Sequence, residues 1–309
     1  MIECRLTQHP IFIVDQGRSM SGLSGVTQSG PLLVHQYYHA SKVLQQSQLV
    51  AMEISGDCEF LIHQPMWITV CGEEAQVSID EQYVSMNQPL LVKPGQPLRI
   101  KELAPGTKLI IGLKARLSCM RYFDSICGVY RERFGGVANG KPMITGDIFH
   151  VDAIFEKPHF GMNPTNAITP YQTARYSVSL QSSKIDFVPN YQYQHFSLHA
   201  RYLLTEQTMQ VSNKADRMGL RLICDEPIPA PKQTASQALA LGVIQIPPDG
   251  QPIVMGPDRQ THGGYPVIGT VPDYALAQIA QIPATKHFHF NQISIEQAIV
   301  NFTLYQSQY

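Results

Sequence analysis

From residue 58 to residue 113 the chain breaks into a run of short apolar segments, 58–62, 67–71, 75–79, 89–93 and 108–113, each closed off by Gly, Pro or Asp. Segments this short and this evenly spaced are read as strands, and a succession of them points to a barrel or a sandwich. The 22 Gly and 22 Pro among 309 residues carry the same punctuation through the whole chain, which favours many short strands over long helices. Against that background, one sizeable helix is expected in the first half, over 32–48, where Leu33, Tyr37, Ala40 and Leu44 recur at helical spacing. In the second half, 243–247 and 252–255 flank Pro248-Asp249-Gly250-Gln251 and predict a β-hairpin, because Gly250 can take positive φ. A short helix over 273–281 and a strand over 286–290 follow. Ser294 then caps a last helix, with Gln297 completing a capping box and Ile295, Ala298, Ile299, Phe302 and Tyr305 as the expected buried stripe.

A chain of this length exceeds one small core, and the weakening of the pattern between 121 and 152 places a domain boundary near residue 150, giving 1–150 and 151–309. The formal net charge of −1 leaves no basic stripe for nucleic acid and no polybasic patch for a membrane surface. The six cysteines form no C-x-x-C pair and sit among apolar residues, as reduced thiols do. No apolar run approaches membrane-spanning length, so a soluble cytoplasmic protein is expected.

The densest chemistry lies in the stretch from Gly242 to Pro266, G-V-I-Q-I-P-P-D-G-Q-P-I-V-M-G-P-D-R-Q-T-H-G-G-Y-P. Its second strand runs into a loop holding Asp258, Arg259, Gln260 and Thr261, just before Gly263 and Gly264. Adjacent glycines admit close backbone approach, Arg259 can fork onto a carboxylate or phosphate, and Gln260 and Thr261 add neutral donors. An anion pocket is one reading; pairing of Asp258 and Arg259 with each other or with the backbone, around a simple turn, is the other. The proline and glycines of the loop imply little regular pairing, which predicts an Arg259 guanidinium exposed and available to a ligand.

This stretch resembles the signature of the 5-oxoprolinase C-subunit family, also described as the biotin-dependent carboxyltransferase or second allophanate hydrolase subunit family. Asp216-Arg217-Met218-Gly219-Leu220-Arg221-Leu222 is similar to that family's D-R-M-G-Y-R-L segment, and Asp15-Gln16-Gly17-Arg18 stands where it has D-x-G-R. Phe134-Gly135-Gly136 and Gly146-Asp147 also fall in the family's order. The first half departs at Leu33, at Ala40-Ser41, at Lys114-Ala115-Arg116 and at 123–127, where the family has other residues.

The resemblance implies a mainly β fold of two cyclophilin-like β-barrel domains with a few peripheral helices. It also implies a subunit of an ATP-dependent 5-oxoprolinase, opening 5-oxo-L-proline to L-glutamate together with A and B subunits, ATP serving the complex. A carboxyltransferase half acting on urea or another amide with carboxybiotin is the alternative, and a non-catalytic partner-binding module is a third reading. On this basis Asp258, Arg259 and Thr261 are the candidate catalytic residues, Asp258 as base. Arg18, Arg217, Gln245, Gln260, Gly263, Gly264 and Tyr265 are the candidates for binding a small amide or lactam. No G-x-S-x-G elbow and no G-x-x-x-x-G-K-[ST] loop occurs. His35 with His39, His195 with His199, and His287 with His289 have spacings that could share a helix or strand face, but no H-E-x-x-H accompanies them, so no metal is expected.

Overall fold

The computed structural model describes residues 1–72, 75–103, 106–137, 139–158, 183–232 and 235–306. The chain forms two compact units, one of Met1–Ser19 and Ser29–Ser177, the other of Met20–Gln28 and Val178–Tyr309.

The first unit begins with β1 (Ile2–Thr7) and β2 (Phe12–Val14), then α1 (Val34–Leu44). β3 (Val50–Ile54), β4 (Cys58–Ile62), β5 (Met66–Gly72), β6 (Gln76–Ile79) and β7 (Gln82–Tyr83) follow. Next come β8 (Leu90–Val92), β9 (Pro97–Lys101), β10 (Leu109–Leu113) and β11 (Ala115–Arg116), with β12 (Ile148–Phe149) and β13 (Asp152–Ala153) after an irregular stretch. They assemble into a six-stranded sheet ordered β12-β1-β4-β9-β6-β7 and a five-stranded sheet ordered β2-β3-β10-β5-β8, while β11 pairs with β13. Both larger sheets contribute to one core, Ile2, Phe60 and Leu98 from the first and Met52, Ile68 and Ile111 from the second. Each such fully buried side chain contributes about 1.5–3 kcal/mol. The expected helix forms two residues later than its apolar pattern begins and is cut short at Gln45, which takes φ 50° as its cap. It lies against β5 and β10, burying Leu33, Tyr37, Ala40 and Leu44 as their spacing requires.

The second unit holds β14 (Ser183–Pro189), α2 (Leu198–Glu206), β15 (Met209–Val211), β16 (Gly219–Ile223) and β17 (Gln237–Ala238). β18 (Val243–Gln245), β19 (Ile253–Met255), β20 (His262–Gly263), β21 (Val267–Thr270), α3 (Asp273–Ile279), β22 (His287–Gln292) and α4 (Ile295–Gln306) complete it. Strands β14-β21-β18-β19-β16-β15-β22 close into a barrel, which leaves none of these seven as an open edge. β22 runs parallel to β14, so the barrel is closed by a parallel pair. On β22, Phe288 and Phe290 point inward while His287 and His289 face the other way, the alternation that a strand imposes. Phe290 meets Phe187 edge-on at 5.7 Å. The predicted hairpin is present, with Ile244 opposite Val254 and Gln245 opposite Ile253, and Gly250 takes φ 72° in its connection.

The structure corrects the expectation for the last helix. The last helix starts at the predicted cap, since the Gln297 N–H donates to Ser294 Oγ at 3.2 Å, but the Gln297 side chain turns to Asn301 instead of reaching back. Its expected apolar stripe is not buried: Ile295 and Ile299 are both 61% exposed and Phe302 lies at the surface, while the Tyr305 side chain falls outside the described residues. A polar contact selects the inner face instead. Asn301 Nδ2 donates to Asp186 Oδ2 at 3.0 Å and to Tyr274 Oη at 3.2 Å, and the Tyr274 hydroxyl donates to the same carboxylate oxygen at 2.8 Å. His195 and His199 share no helix: His195 ends a short turn before extended Phe196, and His199 lies in α2 with its Nε2 2.9 Å from Glu226 Oε1. Among the described residues no helix is long and apolar enough to cross a membrane.

Candidate functional site

Of the candidate residues, Arg18 belongs to the first unit and the others to the second. Arg18 is fully buried. Its guanidinium donates to the Cys127 carbonyl and stacks 4.9 Å above the Phe134 ring. Gly135 makes room for it, because a Cβ there would stand 2.9 Å from Arg18 Nη2. The rest of the Asp15-Gln16-Gly17-Arg18 block is tied to the same neighbourhood. Asp15 accepts from Ser125 Oγ at 2.6 Å and from the Ile126 N–H at 2.8 Å, while the Gly17 N–H folds back onto the carboxylate at 2.9 Å. Two sequence blocks a hundred residues apart thus interlock, and 123–127, which departs from the family pattern, supplies the partners. Nothing in the sequence marks Ser125 and Cys127 as parts of this cluster, since their role depends on a non-local contact.

In the second unit the charged residues of the signature are engaged with one another and with the backbone. Asp258 and Arg217 form a buried two-point ion pair, Nε to Oδ2 at 2.8 Å and Nη2 to Oδ1 at 3.3 Å. The Asp258 N–H also donates to the Arg217 carbonyl at 2.8 Å, which locks the loop beside β16. Asp258 therefore pairs with Arg217 and not with Arg259.

The expectation of an exposed Arg259 is corrected by its packing. The side chain is half-buried, and its Nε donates to the Leu239 carbonyl at 3.0 Å. Burial lowers its pKa, opposed by the nearby charges of Asp273 and Asp258, and it stays a cation because guanidinium does not deprotonate in proteins. Asp273 shows the counterpart: burial raises its carboxyl, and Arg259 pulls it back.

The neutral residues are gathered around Gly263. β20 pairs with β17 so that Gly263 faces Gln237. A Cβ on Gly263 would stand 2.9 Å from Gln260 Nε2, 3.1 Å from Gln245 Nε2 and 2.7 Å from Leu239 Cδ1, so a side chain there would push the two converging carboxamides aside. Gln245 is buried and its Nε2 reaches the Tyr265 carbonyl at 3.4 Å. Thr261 Oγ1 lies 3.4 Å from the Gly25 carbonyl, and Thr27 Oγ1 donates to the Pro257 carbonyl at 2.9 Å, so Met20–Gln28 lies along this loop within the same unit. Gly264 and Tyr265 follow, half-buried, on the way into β21. Two histidines elsewhere are buried in α1: desolvation pushes His35 down to about 3 and His39 down to about 4, which keeps both neutral.

A mainly β chain with a closed barrel, whose hairpin leads into a D-R-Q-T-H-G-G-Y-P loop, is of the carboxyltransferase class. The carboxyltransferase domain family, subdomain A and B, matches residues 24–292, and the chain belongs to it. It is 25% identical to the C subunit of the Escherichia coli 5-oxoprolinase over 292 residues, 93% of this chain and 89% of that protein. It is 22% identical to the urea amidolyase of Saccharomyces cerevisiae over 296 residues, 89% of this chain and 16% of that much longer one. Among solved structures, the Kluyveromyces lactis urea carboxylase has the same fold, with a TM-score of 0.81 at 18% identity, over 99% of this chain and 28% of that chain.

Proposed function

We propose that the chain is the C subunit of a 5-oxoprolinase, binding 5-oxo-L-proline for ATP-dependent opening to L-glutamate in a complex with A and B subunits. The observation that carries this reading is the match to the C subunit of the Escherichia coli 5-oxoprolinase, which extends over 89% of that protein's length. The geometry of the second unit supports the substrate class. Around Gly263 the groups on offer are carboxamides, while Arg217 is engaged by Asp258 and Arg259 is bonded to the Leu239 carbonyl. Such a surface fits the lactam carbonyl and N–H of 5-oxo-L-proline, whose carboxylate would be met by other groups, and it does not fit the phosphates of ATP. The nucleotide is therefore assigned to the assembled complex, and the residues around Gly263 serve the amide alone.

The similarity to urea amidolyase favours a second reading, a carboxyltransferase half acting on urea with carboxybiotin. The two readings share a small amide substrate and differ in product. Incubating the complex of this chain and its partner subunits with 5-oxoproline and ATP should release glutamate and ADP in equal amounts. Formation of carboxylated urea from a carboxybiotin carrier, with no glutamate from 5-oxoproline, would replace the first reading by the second.

A further inference from the structure

Gln237 lies outside every motif of the sequence, yet it stands opposite Gly263 on the β17–β20 pair. Its carboxamide has a defined orientation. The Tyr191 hydroxyl donates to Gln237 Oε1, and Gln192 Nε2 lies 3.4 Å from the same oxygen. Gln192 is itself buried and fixed, because its Oε1 accepts the Val267 N–H at 2.7 Å. With Oε1 committed to these two donors, the hydrogen-bond network points Gln237 Nε2 away from them. That nitrogen is buried and has no acceptor among the described residues. Buried donors are almost always satisfied in folded proteins, so a buried amide N–H without an acceptor asks for one. The carboxamide nitrogens of Gln245 and Gln260 converge on the same glycine.

We infer that Gln237 is a specificity-determining residue, donating from Nε2 to the carbonyl oxygen of a small amide or lactam bound beside Gly263. Tyr191 and Gln192 act as its positioning residues by holding Oε1. The inference rests on the proposed amide substrate and deepens it: lactams and ureas offer a carbonyl acceptor to this donor, whereas a cation does not. No bond is made or broken by Gln237, so its contribution is to binding.

The sharpest variant is Gln237→Glu, which keeps an oxygen for Tyr191 and Gln192 but replaces the donor by an acceptor. In the reconstituted complex the KM for 5-oxoproline should rise by about tenfold or more with kcat little changed, the pattern of a lost ground-state hydrogen bond. A KM equal to the wild type overturns the inference. Should Gln237→Glu fail to fold, Gln237→Met carries the same test, with the same expected rise. If the wild-type complex turns over neither 5-oxoproline nor urea, the functional reading has failed, and Gln237 is then judged on the full-length chain alone. Titration with 2-pyrrolidinone, followed by the side-chain NH2 resonances of Gln237, should give a saturable shift that is lost on adding the Gln192→Leu substitution. No shift in the wild-type chain overturns the inference whatever the activity of the complex.

Discussion

Both carboxylate oxygens of Asp258 receive hydrogen bonds from Arg217, so removing either partner takes a two-point ion pair away from a buried charge. Asp258→Ala and Arg217→Ala should each destabilise the chain by about 3–5 kcal/mol, whereas replacing both by apolar residues of similar volume should restore much of the loss. Denaturant unfolding of the two single variants and the double variant measures this, and strict additivity would show that the pair is not coupled. Arg259 makes a different case. Arg259→Ala removes a charged donor from the Leu239 carbonyl, and a loss of about 1–2 kcal/mol is expected, more than a surface change gives. An unfolding midpoint unchanged by Arg259→Ala would mean that the guanidinium is free after all. Neither pairing could be read from the sequence. Asp258 and Arg259 are neighbours there, and the carboxylate instead finds an arginine on the far side of the hairpin.

At the scale of elements, α4 presents its apolar residues outward because one polar residue decides its orientation. Ile299→Ser should change stability by less than about 0.5 kcal/mol, while Asn301→Ala, which breaks the link to Asp186 and Tyr274, should cost about 1–2 kcal/mol. The reverse order in thermal unfolding would restore the apolar stripe as the docking face. In α1 the buried histidines make stability depend on pH. The folded chain holds His35 near 3 and His39 near 4, below the ordinary 6.5, so between those values the unfolded chain binds more protons. Their contribution is complete above pH 6.5 and is lost as pH falls toward 4, by up to about 1.4 kcal/mol per pH unit for each histidine. Unfolding midpoints taken from pH 7.5 to 4.5 should show this slope, and His35→Gln with His39→Gln should flatten it. The strands of the first unit were legible because Gly, Pro and Asp stop each one, and α1 because its apolar period is strong. The face of α4 was not, because its deciding partner, Asp186, stands on β14, more than a hundred residues earlier, and no local pattern announces it.

At the scale of the whole molecule, the ordered blocks from Phe134 to Pro266 lie within the residues that match the family, and the closed barrel contains both strands of the hairpin that leads into the loop. The chemistry within the loop needed the structure. Glycine at position 263 was visible as a close-approach residue, but what approaches it, the carboxamides of Gln245 and Gln260, comes from the preceding strand and from within the loop itself. Gln237 had no signal at all, since a single glutamine in a polar stretch resembles any other. On the proposed reading, the chain is a binding subunit whose amide site works only in a complex. The direct measurement is the rate of 5-oxoproline-dependent ATP hydrolysis by the chain alone, by the A and B subunits without it, and by all of them together. Turnover confined to the full mixture is the predicted result, and equal turnover by the chain alone, or by the other subunits without it, would contradict the proposal.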